Sequence, residues 1–160
     1  MIAVVACGNP NRSDDGAGLA VLGQLRSRGL DRVPGLRLLD AGTDGMATMF
    51  AARGCRSLIV VDACRSGSEP GAIFEVPGDE LKQTYAPNLN LHDFRWDHAL
   101  SAGKSIFRDE FPDDVLVFLI EAQSVDFGIG LSAVVSDAVA KVADRIQCLL
   151  DTRPADLSGT

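Results

Sequence analysis

No run of apolar residues in this sequence approaches the ~18 that a membrane-crossing helix requires. Basic charge is also short. Fifteen Lys and Arg stand against 22 Asp and Glu, a formal charge of -7, which argues against nucleic acid as a partner, because that requires a concentrated basic face. The same deficit argues against an anionic membrane surface. The apolar start, Met1 to Cys7, has no basic segment before it and runs straight into Gly8-Asn9-Pro10-Asn11-Arg12. It reads as a strand rather than a signal peptide, and a cytoplasmic location follows by default. The four cysteines, Cys7, Cys55, Cys64 and Cys148, are dispersed and form no CxxC. Without secretion they are expected to be reduced, mostly buried thiols. Several signatures are missing: GxGxxG and GxxxxGK[ST] for nucleotides, GxSxG for a serine nucleophile, and HExxH for a zinc peptidase.

What remains is an ordinary globular composition, 46% hydrophobic and 23% charged over 160 residues. At about 150 residues per domain this is one domain, large enough to bury a core without disulfides or a structural metal. The reading is a single α/β domain over residues 1–151, followed by a frayed tail over 152–160.

Strand and helix signals alternate. Residues 1–7 are apolar and β-branched. Asp14 or Asp15 is placed to cap a helix with Leu19, Leu22 and Leu25 at near-helical spacing. Leu36 to Leu39 make a second strand, ended by Asp40-Ala41-Gly42-Thr43, and Met46, Met49 and Phe50 give the next helix its apolar stripe. Leu58 to Val61 is a third strand closed by Asp62. Its consecutive apolar residues suit burial on both faces. Ala72 to Val76 is a short extra strand, at an edge because Pro77 follows. Residues 78–95 are irregular, and Trp96 to Phe107 are helical. Val115 to Ile120 form the strongest buried strand. Leu131, Val134, Val135, Ala138, Val139, Val142, Ile146 and Leu149 then keep a 3.6-residue period, as a long amphipathic helix does. Alternation of this kind gives an α/β fold with a mostly parallel sheet, and such folds bind ligands outside the carboxyl ends of the strands.

Carboxylates collect at those ends. Asp14 and Asp15 follow the first strand, Asp40 ends the second and Asp62 the third. A single Asp there is explained by helix capping. Three strands in a row are harder to explain that way, and crowded carboxylates repel unless a cation or proton neutralises them. Of the two histidines, His98 fits a helix surface, while His92, in Asn90-Leu91-His92-Asp93, lies where a loop can fold over the strand ends. Two carboxylates and one imidazole make an open site for a borderline divalent metal. The loop Gly8 to Gly18 also invites a phosphate reading, but two Asp at its mouth would repel phosphate. A Cys64–His92 nucleophilic pair is conceivable, though no thiol-protease signature surrounds Cys64 and a structural thiol is the simpler reading.

Five motifs in order resemble the hydrogenase maturation proteases, endopeptidases that trim the large-subunit precursor of nickel–iron hydrogenases. They are Gly8-Asn9 with Asp14-Asp15-Gly16-Ala17-Gly18; Leu39-Asp40-Ala41-Gly42-Thr43-Asp44-Gly45-Met46; Leu58-Ile59-Val60-Val61-Asp62-Ala63; Leu91-His92-Asp93-Phe94 leading to Ala99-Leu100; and Gly128-Ile129-Gly130-Leu131-Ser132. The resemblance runs from about residue 2 to residue 148.

It implies a three-layer αβα domain with a twisted, mainly parallel five-stranded sheet between helices. It places the metal-binding acid of the first loop on Asp15 (many relatives carry the longer Glu), the second carboxylate ligand on Asp62 and the imidazole on His92. Asp40 matches an acidic position tied to processing. The implied activity is removal of a C-terminal extension from the precursor after nickel insertion. No tightly bound cofactor is implied, since the nickel comes with the substrate, although other divalent metals can occupy the site in vitro. The implied partner is the nickel–iron hydrogenase large-subunit precursor, and the implied state is a monomer. Two other classes would use the same residues. A non-catalytic nickel-sensing binder would leave the precursor's length unchanged. A general metallopeptidase would retain its metal and cleave small peptides.

Overall fold

The computed structural model describes residues 1–80 and 95–153, with the side chains of 95–99 outside the description. Five strands form one sheet: β1 Ile2–Cys7, β2 Leu36–Gly42, β3 Ser57–Cys64, β4 Ile73–Pro77 and β5 Asp114–Glu121. Their spatial order is β2-β1-β3-β5-β4. All neighbours pair in parallel except β4, which runs antiparallel along β5. The α/β class and the mainly parallel five-stranded sheet are therefore as expected. The central strands β1 and β3 are buried at every position, which follows from helices covering both faces. The edge strand β4 alternates between exposed and half-buried positions and tolerates Pro77 at its last residue.

Among the described residues, four helices cover the sheet: α1 Ala17–Ser27, α2 Gly45–Ala52, α3 Arg95–Phe107 and α4 Ala133–Thr152. On one face, Val21 and Leu25 of α1 and Val135, Val139, Val142 and Ile146 of α4 pack on Val4, Ile59, Val61, Phe118 and Ile120. On the other, Ala51 and Ala52 of α2, Leu100 of α3 and Phe111 pack on Ala3, Val5, Cys7, Leu58, Val60 and Leu119.

Four local expectations change. Helix α1 begins after a 3-10 turn, Ser13–Gly16, and its N-cap is Gly16 with no side-chain cap, so neither Asp14 nor Asp15 caps it. Strands β2 and β3 each continue two residues past their acid, to Gly42 and Cys64. In α2 only Met49 of the expected stripe is buried; Met46 and Phe50 are exposed, because Thr48, Ala51 and Ala52 take the inward positions. Leu131 precedes α4, whose N-cap is Ser132, and Val134 is exposed. The expected frayed tail falls largely on 154–160, outside the described residues.

The first parallel connection leads from β1 outward to β2, and the sheet then grows the other way through β3 and β5. The strand order thus reverses between β1 and β3. That reversal opens a crevice at their carboxyl ends, where α/β folds bind ligands.

Candidate functional site

Residues of the first, second and third motifs meet at this crevice. Cys7 ends β1, and Gly8 turns away with φ +127°, a conformation that favours glycine. A side chain at Gly8 would overlap the Asp15 carbonyl and stand 3.6 Å from Asp62 Oδ1. Gly8 therefore lets the Asp15 turn settle directly against the end of β3. Gly18 does the same one helical turn later. A Cβ there would lie 2.6 Å from the carbonyl oxygens of both Cys7 and Val61, so α1 sits close on β1 and β3.

Asp15 accepts a hydrogen bond from the Asn9 N–H at 2.9 Å through Oδ2. Asp62 is 4% exposed, and its Oδ1 accepts from the Ala63 N–H at 2.8 Å. Asp62 shares a pleat with Cys7, Leu58, Val60 and Leu119, facing α2 and α3. Asp40 differs. It is in register with Ala6, which pairs in turn with Val61, on the pleat facing α1 and α4. A register shift follows, so that Cys7 pairs with Gly42 and Ala41 is the extra residue. Asp40 is exposed and accepts from the Gly42 N–H at 2.8 Å. The structure sets the Asp15 backbone carbonyl and the Asp62 carboxylate on either side of Gly8 and leaves Asp40 exposed on the opposite pleat. His92, with its whole motif from Leu91 to Phe94, lies outside the described residues. His98 is within α3, with its side chain undescribed.

One thiol registers all three carboxylates. Burial raises the Cys7 thiol from its usual 9.0 to about 12; Asp62 adds to the rise, the Thr48 contact opposes it, and Asp40 and then Asp15 add smaller pushes. The Cys7 sulfur lies 3.6 Å from the Thr48 hydroxyl of α2. A thiol held neutral in this way fills space under the crevice and is no nucleophile. Cys64 also behaves structurally, donating to Glu121 Oε2 at 3.1 Å.

The roles of two further acids at the carboxyl edge, Asp14 and Glu121, escape sequence reasoning. Asp14 is 1% exposed and points away from the crevice, into the loop after β5. Its Oδ2 accepts from the Gln123 and Ser124 N–H groups and from the Ser132 hydroxyl, and its Oδ1 from the Ser132 N–H. Glu121, at the end of β5, accepts from the Ser66 N–H and hydroxyl and from the Gly67 N–H. Both carboxylates satisfy buried or half-buried backbone donors that the loops leave unpaired. The only hint in the sequence is the serine preceding α4. As N-cap it would ordinarily accept from its own helix, whereas here its hydroxyl donates to Asp14 and makes no such bond.

The profile of the hydrogenase maturation protease (HycI) family matches residues 22–148. The chain belongs to the hydrogenase maturation protease family. It is accordingly an endopeptidase, a hydrolase of peptide bonds. The matched segment includes Asp40 and Asp62; Asp15 lies ahead of it. A candidate hydrogenase maturation protease of Methanocaldococcus jannaschii is 29% identical over 147 residues, covering 90% of each chain. The hydrogenase expression/formation protein HupM of Azotobacter chroococcum is 30% identical over 130 residues, 79% of this chain and 60% of HupM. Among solved structures, the [NiFe] hydrogenase maturation protease HybD of Thermococcus kodakarensis superposes with a TM-score of 0.78 at 22% identity. It covers 93% of this maturation protease and 98% of HybD. The hydrogenase maturating endopeptidase HybD of E. coli gives 0.76, also at 22% identity, over 94% and 92%. These last two likenesses concern the fold. Among the described residues, no helix of the maturation protease is long and apolar enough to cross a membrane.

Proposed function

We propose that this maturation protease removes the C-terminal extension of a nickel–iron hydrogenase large-subunit precursor once nickel is in place, and that it reads the substrate's nickel through Asp15, Asp62 and His92. The observation that carries the reading is that the Asp15 turn packs, through its backbone carbonyl, against Gly8 beside the Asp62 carboxylate at the strand-order reversal, where both acids act on the Cys7 thiol. Carboxylates that share a cation gain from it and repel one another without it. A precursor without nickel would therefore bind this rim weakly. A loaded one would be gripped, with its chain aligned for hydrolysis. Two carboxylates and one imidazole leave positions open for the substrate's own ligands, and the nickel leaves with the product.

Two routes to hydrolysis fit this reading. In the first, substrate nickel polarises the scissile carbonyl or activates water. In the second, Asp40 takes the proton from water as general base. Asp40 is exposed, and the Gly42 N–H occupies one of the about four acceptor positions of a carboxylate. No tightly bound cofactor is part of the proposal, and the working unit is a monomer in the cytoplasm.

The test is incubation of the purified protein with nickel-loaded and nickel-free precursor, followed by intact-mass spectrometry. A mass loss at the C-terminus of the loaded precursor alone is the expected result. Loss from both forms would remove the nickel-reading role of Asp15, Asp62 and His92. Tight binding without any mass loss would favour the non-catalytic binder.

A further inference from the structure

The turn that carries Asp15 is held in place from outside itself. Asp14 and Asp15 share the four-residue 3-10 turn Ser13–Gly16. A 3-10 turn this short has poor hydrogen-bond geometry and does little to fix its own position. This one also contains an unfavourable backbone. Ser13 stands at φ +52°, in the left-handed region that a residue with a side chain seldom adopts. Such a conformation persists only where surrounding contacts over-determine it.

Those contacts come from the segment between β5 and α4. The buried Asp14 carboxylate accepts from the N–H groups of Gln123, Ser124 and Ser132 and from the Ser132 hydroxyl. The Asp14 N–H donates in return to the Ser124 carbonyl at 3.1 Å. Ser13 adds two bonds, from its N–H to the Gly128 carbonyl at 2.8 Å and from its hydroxyl to the Asp126 carbonyl at 2.7 Å. Ser132 is the N-cap of α4, yet its side chain makes no cap bond. The hydroxyl that would ordinarily stabilise the start of the helix stabilises the turn instead.

The length of the Asp15 side chain makes this fastening matter. Aspartate has a single methylene between backbone and carboxylate, so the carboxylate moves wherever the turn moves. A glutamate would have a further torsion with which to adjust. Groups that hold a metal must stand within about 0.5 Å of their productive positions, and residues behind them keep them there. We infer that Asp14 and Ser132 are positioning residues for Asp15. They hold the strained turn so that the Asp15 carboxylate meets the precursor's nickel without first being ordered, and ordering avoided in this way appears as affinity. The inference rests on the proposed reading of Asp15 as a nickel ligand, and the experiment separates the two.

The variants are Asp14→Asn, Ser132→Ala and Ser132→Thr. Ser132→Ala removes the hydroxyl bond to Asp14, leaves the N–H bond, and takes no cap bond from α4. The matched control is Ser57→Ala, which removes another serine–aspartate bond, from a buried hydroxyl to Asp114 at 2.6 Å, at the first residue of β3. Binding of nickel-loaded and nickel-free precursor is measured by titration, under conditions where circular dichroism shows each variant folded. The readout is the affinity advantage of the loaded form. Asp14→Asn and Ser132→Ala should reduce that advantage about ten-fold, as loss of groups behind a metal ligand does, with binding of the nickel-free form unchanged. Ser132→Thr should keep the advantage. Ser57→Ala should lower the thermal midpoint and keep the advantage too. Should Asp14→Asn fail to fold, Ser132→Ala decides alone. If Asp15→Asn loses the advantage while Ser132→Ala keeps it in full, the positioning role is overturned and the nickel reading stands. An equal loss in Ser57→Ala also overturns the positioning role, because destabilisation alone would then explain it. An advantage absent from the wild type, or kept by Asp15→Asn, overturns the nickel reading and the positioning role with it.

Discussion

Ser132 is bound twice by Asp14, a residue 118 positions earlier: its N–H donates to Oδ1 at 2.7 Å and its hydroxyl to Oδ2 at 2.9 Å. The adjacent Asp15 takes another course: its carboxylate accepts from the Asn9 N–H, and its backbone carbonyl lies against Gly8. Two neighbouring aspartates therefore divide two tasks, one fastening the turn and the other facing the crevice.

Asp14→Ala should leave the N–H groups of Gln123, Ser124 and Ser132 without their carboxylate. Buried unpaired donors cost about 1–3 kcal/mol each; these three bonds are only part-buried, so water can replace some of them and a total loss of about 1–3 kcal/mol is expected. Urea unfolding should show a lowered midpoint with an unchanged slope. A shift no larger than that of an exposed Asp→Ala change would remove the fastening role.

Asp62→Asn and His92→Ala are expected to yield folded proteins that fail to process nickel-loaded precursor. The amide keeps the shape of the carboxylate but carries no charge for a cation. Circular dichroism checks the fold and mass spectrometry checks the product. Wild-type cleavage by both variants would contradict the ligand assignment.

Gly18→Ala and Gly23→Ala lie on the same helix and should move stability in opposite directions. At Gly18 the added carbon meets two carbonyl oxygens at 2.6 Å, whereas at Gly23 it meets nothing within 4 Å. Overpacking costs about 1–3 kcal/mol, while alanine in an unobstructed helix interior gains about 0.5–1 kcal/mol over glycine. Thermal melts of the two variants measure the difference directly.

Thiol reagents should separate the cysteines. Cys148 is exposed, and Cys7, Cys55 and Cys64 are buried. One thiol should react promptly in the native protein and the remainder only on unfolding. Burial holds the Cys7 thiol up to about 12 against 9.0 in an unfolded chain. Below the unfolded value the thiol is neutral in both states. Above it the unfolded state ionises first, so stability falls as pH rises from about 9 toward 12, by at most about 1.4 kcal/mol per pH unit from this group. Cys7→Ala should flatten that part of the alkaline stability curve; an unchanged slope would count against the assignment.

Sequence patterns reveal elements that are apolar on consecutive residues, and they worked best for β1, β3 and β5. Pro77 marked the edge strand by its missing donor. The acids at the strand ends were visible as a group, but their separate fates were not. Periodicity cannot show that Asp14 turns toward residues 123–132 while Asp15 turns toward the Asn9 N–H, because that depends on one short 3-10 turn. Nor could it show that Met46 and Phe50 face outward, since α2 is only eight residues long and small residues fill its inner face. Asp40 looked equivalent to Asp62 by position, yet strand register sets the two on opposite pleats.

The bond between Asp14 and Ser132 also sets an order in time. Ribosomes release the chain from its N-terminus, and contacts of long sequence separation form late. The turn carrying Asp15 is made early, but the donors that fasten it, Gln123, Ser124 and Ser132, emerge only after all five strands have been made. A nascent chain therefore lacks a fastened rim until its last helix begins, and the protease matures before it can mature anything else.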